Sequence, residues 1–190
     1  MPTSTANTNK RNEIIEVASK LFYEQGYHRT GVQQIIEGAG AAKGTFYAHF
    51  KSKEELGVIW LRTRHTKWNT SLVEFLKDKD VASEKILAVF DFLGKWMKDC
   101  DFRGCAFLNT LAETPDPNNP LRNEIAGHKQ KLLELFQRLI AEHQTKLPKD
   151  KCQNLAASVF LLFEGTLVEM QNFRDTWPLE AAKSQLARML

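Results

Sequence analysis

Between Lys43 and Lys53 the chain sets three ammonium groups, those of Lys43, Lys51 and Lys53, with the hydroxyls of Thr45 and Tyr47 and the imidazole of His49 in one short stretch. Such groups donate hydrogen bonds to phosphate oxygens and base edges, the chemistry of a nucleic-acid surface. Gly44 leaves the start of a helix unobstructed, so its backbone N–H groups can approach phosphate or base. Thr45 suits a base edge or a thymine methyl, and Tyr47 and His49 suit phosphate oxygens. Phe46 and Phe50, four residues apart, read instead as the apolar side that locks this helix onto its neighbours.

Other reactive residue types are sparse. Arg103-Gly104-Cys105 is the sharpest: a thiol in the first turn of a helix, near a guanidinium, is expected to ionise readily and to meet oxidants or electrophiles. A small buried hydrophobe is the other reading of the same cysteine. Cys100, Cys105 and Cys152 are odd in number and contain no CxxC pair, which argues against a disulfide framework or a zinc knuckle. His65, His128 and His143 lie on separate helices or several turns apart, so no metal site is expected. Paired carboxylates, a Ser-His-Asp set and a phosphate loop with a catalytic lysine are all missing, so neither an enzyme nor a cofactor is expected.

Charge supports the first reading. Residues 1–53 carry seven Lys/Arg against four Asp/Glu, while residues 54–190 carry nineteen of each, so the whole net charge of +3 sits in the N-terminal segment. That pattern suits a polyanion-facing module attached to a neutral body. No apolar run approaches the roughly 20 residues that span a bilayer. The polar stretch from Met1 to Arg11 lacks the apolar core of a secretion signal. A cytoplasmic protein with reduced thiols and no membrane partner is expected.

These residues must be positioned by helices, because helical periodicity dominates from end to end and no strand-like alternation emerges. A first helix is predicted from about Asn9 to Gln25, with Ile14, Ile15, Ala18, Leu21 and Phe22 on one face and Gly26 as a left-handed cap. Thr30 with Gln33 reads as a capping box that opens a short helix to about Glu37. Gly38-Ala39-Gly40 then turns the chain into a third helix from about Ala42 to His49. Ser52 with Glu55 forms a second capping box and starts a long fourth helix to about Lys79. A fifth helix is predicted with Ile86, Leu87, Phe90, Leu93 and Trp96 on its apolar face. A short helix from about Cys105 to Glu113 follows, then a proline loop through Pro115, Pro117 and Pro120. Two long helices come next, from about Leu121 to Gln144 and from about Pro148 to Asn172. A last helix starts near Pro178, which a first turn tolerates. The fold class is all-α, about nine helices, with two short helices around a glycine turn behind a longer one: a helix-turn-helix.

The run Gly38-Ala39-Gly40-Ala41-Ala42-Lys43-Gly44-Thr45-Phe46-Tyr47-Ala48-His49-Phe50-Lys51-Ser52-Lys53-Glu54-Glu55-Leu56 closely resembles the corresponding segment of TetR/AcrR-type transcriptional regulators. Ala18, Leu21, Phe22, Gly26, Tyr27 and Thr30 stand where that family carries its first-helix core and second-helix cap. The resemblance covers about residues 9–60. It implies DNA contacts at Thr30, Lys43, Gly44, Thr45, Tyr47, His49 and Lys53, with Gln33 as a further base reader. One departure stands out: Ala42 occupies the N-cap position where the family usually has Ser or Thr, and an alanine cannot cap. Gly104-Cys105 also resembles the start of the sixth helix in one branch of the family.

The resemblance further implies a DNA-binding domain over residues 1–53 and a ligand-binding, dimerising helical bundle over residues 54–190. The helix near residues 149–172 is apolar around more than one face, and a homodimer partner would cover the second. Phe160, Phe163, Leu167 and Leu186 are the expected dimer contacts. Trp60, Trp68, Phe90, Trp96, Phe107 and Phe163 are the candidate walls of an effector cavity, which suits a hydrophobic or electrophilic small molecule. The expected function is a ligand-responsive repressor on a palindromic double-stranded operator. A helical carrier or enzyme without DNA binding is the alternative.

Overall fold

The computed structural model describes the backbone of residues 4–190 and the side chains of residues 9–190. Among the described residues there are nine helices and no strand: α1 (Ser4–Gln25), α2 (Val32–Gly38), α3 (Lys43–His49), α4 (Lys53–Leu76), α5 (Ala82–Asp99), α6 (Ala106–Glu113), α7 (Pro120–His143), α8 (Lys149–Phe173) and α9 (Trp177–Met189). None of them is long and apolar enough to cross a membrane. The chain divides into two compact units, one of residues 1–66 with 106–126, the other of residues 67–105 with 127–190.

In the first unit, the four-residue spacing of Ile14, Ala18 and Phe22 gives α1 one buried stripe. Gly26 ends the helix at φ +103°, a conformation that favours glycine, and Gly40 turns the chain between α2 and α3 at φ +54°. Ile35 and Ile36 of α2 and Phe46 of α3 fill the space beneath, closed by Phe50 at the α3 C-cap. The unit extends well beyond residue 53 for a physical reason. Trp60 of α4 is buried with its ring 5.2 Å from that of Phe22. A Cβ at Gly57 would stand 2.8 Å from Tyr27 Cε2 and 3.1 Å from Leu121 Cδ2, so α4, the α1–α2 corner and the start of α7 are in close contact.

The second unit is built on α5 and α8. Ile86, Val89, Phe90, Leu93 and Met97 make the buried face of α5, while Leu87 and Trp96 are only half-buried. Gly94 allows α9 to approach, because a Cβ there would collide with Leu179 Cδ2. Phe90, Phe136 and Phe163 form an aromatic centre with ring separations of 5.5 to 6.3 Å. Phe163, Leu167 and Leu186 are all buried within this unit, at 2%, 3% and 0% exposure, which corrects their expected role as dimer contacts. Phe160 is half-buried. Besides Phe173 at its C-terminal end, the large apolar side chains that α8 leaves exposed are Leu161 and Val168, at 66% and 44%, with Gly165 exposed between them.

Candidate nucleic-acid interface

The α3 helix is only seven residues long, too short to persist alone, so its tertiary contacts must hold it. Phe46 and Phe50 are both fully buried, with ring centroids 5.6 Å apart. The remaining side of α3 carries Lys43, Gly44 and Tyr47, all exposed, and Thr45, half-buried. A Cβ at Gly44 would meet nothing within 4 Å, so the helix start is open. Ala42 is the N-cap and supplies no side-chain bond. At the start of α4, Glu55 N–H donates to Ser52 Oγ at 3.2 Å. The Glu55 carboxylate returns to the backbone N–H of Lys51, at 2.7 Å. The reciprocal box is therefore present, displaced by one residue on the return side.

Three expected contacts, Thr30, His49 and Lys53, are placed differently, and Gln33 differs only in its expected part in a cap. Thr30 is fully buried and its hydroxyl donates to Gly26 O at 2.7 Å, so it shapes the α1–α2 corner and offers DNA nothing. It does not cap α2 either: the cap is Gly31, without a side-chain bond. Gln33 is exposed on α2, but its amide donates to Glu37 Oε1 at 2.9 Å rather than closing a capping box. His49 is half-buried, and its Nε2 is enclosed with no protein partner, so that nitrogen does not face a phosphate. Lys53 is engaged within the protein: its amine donates to His28 O at 3.3 Å and lies 4.5 Å from the centroid of the Tyr27 ring. Burial lowers the Lys53 pKa, against the pull of Glu54 and Glu113.

Two basic residues missed by the sequence reading brace the same head. Lys10 Nζ donates to Ala39 O at 3.2 Å, and the Arg11 guanidinium lies 5.4 Å from the centroid of the Phe50 ring. Both tie α1 to the turn and helix that carry the exposed basic and hydroxyl groups. Only contacts across 29 and 39 residues reveal them.

The comparisons with known proteins fit this geometry. Residues 14–57 match the bacterial regulatory proteins of the tetR family, and residues 82–186 match the tetracyclin repressor-like C-terminal domain. The chain belongs to the TetR family. It is a DNA-binding transcriptional regulator, as the family's members are, rather than an enzyme. This TetR-family chain is 26% identical over 178 residues to the HTH-type transcriptional repressor DhaR of Mycobacterium sp. (strain GP1), covering 92% of this chain and 89% of that one. It is 21% identical over 185 residues to the HTH-type transcriptional repressor NemR of Escherichia coli (strain K12), covering 95% and 93%. Its fold is that of SCO4454, a TetR-family regulator from Streptomyces coelicolor, with a TM-score of 0.86 at 23% identity over 96% of this chain and 94% of that one.

The candidate cavity residues of this TetR-family chain fall in both compact units. Trp60 and Phe107 belong to the first compact unit, and Trp68, Phe90, Trp96 and Phe163 to the second. Trp68 packs edge-on against Phe92 at 5.5 Å and His128 at 5.4 Å, whereas Phe90 and Phe163 sit in the aromatic centre. Cys105 is buried one residue ahead of α6. Lys129 Nζ lies 3.8 Å from its sulfur and pairs with Glu164 at 2.7 Å. Among the described residues no group of three His, Cys, Asp or Glu is arranged to hold a metal ion.

Proposed function

We propose that the protein is a homodimeric repressor that holds a palindromic double-stranded operator and is released by a small hydrophobic or electrophilic effector. The observation that carries DNA reading is the two-sidedness of α3: Phe46 is fully buried while the next residue, Tyr47, is 49% exposed beside exposed Lys43 and open Gly44. A helix of this kind fits a major groove about 12 Å wide. Two copies would read successive grooves of one face of the duplex. The dimer reading rests on the Leu161–Gly165–Val168 stripe of α8, which stands opposite the helix's buried face and would be covered by the same stripe of a second copy. DhaR and NemR are both named as repressors, which supports repression rather than activation.

The effector reading rests on Cys105, a buried thiol whose sulfur lies 3.8 Å from the Lys129 ammonium. Faster alkylation of Cys105 than of Cys100 or Cys152 supports it, and equal or slower reaction ends it. For DNA reading, the test is binding of a labelled duplex selected from a random library by the wild-type protein, followed over salt. Lys43→Ala should lower the slope of log K against log salt by about 0.9, one phosphate contact. Tyr47→Ala should weaken binding on every selected sequence. Unchanged binding by both variants would sink the interface.

A further inference from the structure

We propose that Glu113, at the end of α6, is a positioning residue for DNA reading, acting on the corner between α1 and α2. The corner is gripped at a single residue, through the peptide groups on either side of it. His28 N–H donates to Glu113 Oε2 at 2.5 Å, and His28 C=O accepts from Lys53 Nζ at 3.3 Å. An acid 85 residues away and a base 25 residues away therefore hold the two polar ends of one residue between α1 and α2.

Further features of the structure fix the grip. The left-handed Gly26 leaves room for the acid, because a Cβ there would stand 2.7 Å from Glu113 Oε1. The end of α6 is itself fastened: Thr114 Oγ1 donates to Thr110 O at 2.8 Å, and Arg122 Nη1 donates to Thr114 O at 2.8 Å. Lys53 is held by the Tyr27 ring, which is packed against Gly57 of α4. The carboxylate thus stands on a braced stub, and the peptide it holds sets the direction in which α2 leaves α1.

The direction matters because no helix cap sets it, and the local bonds at the corner are few: Thr30 Oγ1 to Gly26 O and the paired amides of Gln25 and Gln34. Neither α2 nor α3 has a side-chain N-cap bond, and each is seven residues long. Their exposed groups read DNA only if the whole hairpin keeps its angle to α1, and small errors in aim are expensive for hydrogen-bonded recognition. Glu113 touches no exposed face of α3, so its effect on DNA must pass through the corner.

The proposal rests on the DNA reading above, and its test separates the two. The probe is the labelled duplex selected from a random library by the wild-type protein. Glu113→Gln keeps an oxygen for His28 N–H and should bind within about threefold of wild type, whereas Glu113→Ala should bind at least about tenfold more weakly, the equilibrium worth of one charge-assisted hydrogen bond. The slope against salt should be unchanged in both, because no phosphate contact is lost. Amide exchange gives a readout independent of DNA. The His28 N–H should be protected in wild type and Glu113→Gln, and unprotected in Glu113→Ala. Wild-type affinity in Glu113→Ala overturns the proposal, as does equal weakening in the Gln variant, or an unprotected His28 in wild type should the Ala variant fail to fold. If the wild-type protein selects no duplex, DNA reading fails while the exchange experiment still decides the grip.

Discussion

Replacing Gly26 by alanine tests the corner from its other side, and the cost can be worked out in two parts. Gly26 sits at φ +103°, where an L-residue costs about 1–2 kcal/mol. The new Cβ would also stand 2.7 Å from Glu113 Oε1, closer than real Cβ contacts, so the carboxylate must leave. Its bond to His28 N–H is then lost. Glu113 is half-exposed, so the low end of the range for a charged acceptor applies, about 1.5 kcal/mol. Gly26→Ala should therefore destabilise by about 2.5–3.5 kcal/mol in the wild-type background, but by only about 1–2 kcal/mol where Glu113 is already alanine. Urea unfolding of the wild type, both single variants and the double variant gives the coupling directly, about 1.5 kcal/mol. Additivity within about 0.5 kcal/mol would refute the reasoning, since Cβ and carboxylate would then not compete for one place.

Other outcomes follow from single contacts. Burial, with a smaller push from Glu54, raises the Tyr27 pKa, so the stability its neutral phenol contributes is full below a pH of about 10 and is lost as pH rises beyond it. The hydroxyl also has no protein partner, so Tyr27→Phe should be neutral or stabilising by about 1 kcal/mol at neutral pH and should flatten the alkaline loss. Parallel pH–stability curves for the two proteins would contradict this. Leu161→Glu and Val168→Glu place charge on the exposed stripe of α8 and should shift sedimentation toward the monomer without unfolding it. A species of unchanged size would move the dimer surface elsewhere.

Local signals in the sequence translated well into local structure. The stripe Ile14–Ala18–Phe22, the left-handed Gly26, the uncapped Ala42, the Ser52–Glu55 box and the buried Phe46 and Phe50 all depend on neighbours within a few residues, and each was legible. Failures arose where a distant partner decided the outcome. Thr30 has the type and place of a cap, but the Gly26 carbonyl takes its hydroxyl and the hydrophobic packing buries it. Lys53 has the position of a phosphate ligand, yet Tyr27 and the His28 carbonyl hold its amine. On α8, apolar residues on every side show that two faces are buried but not which face meets which neighbour. Phe163 and Leu167 went inward, and Leu161 and Val168 were left outside. Glu113 carried no sequence signal, because an acid at the end of a short helix says nothing about a backbone N–H on another element.

The missing cap at Ala42 separates two properties that a recognition helix needs, order and aim. A capping hydroxyl on α3 would satisfy a free N–H of its first turn and stabilise by about 1 kcal/mol, which Ala42→Ser should show as a raised melting temperature. That bond is local and cannot turn α2 or α3 relative to α1, whereas the His28 grip and the Lys10–Ala39 bond act on the turns that set the angle. Adding Ala42→Ser to Glu113→Ala should therefore recover stability and leave the affinity for the selected duplex weak. The two quantities, measured on one preparation by thermal unfolding and fluorescence anisotropy, should part company. Affinity that recovered in step with stability would mean that Glu113 acts on DNA only by keeping the protein folded, and the corner would then be a fastening rather than a sight.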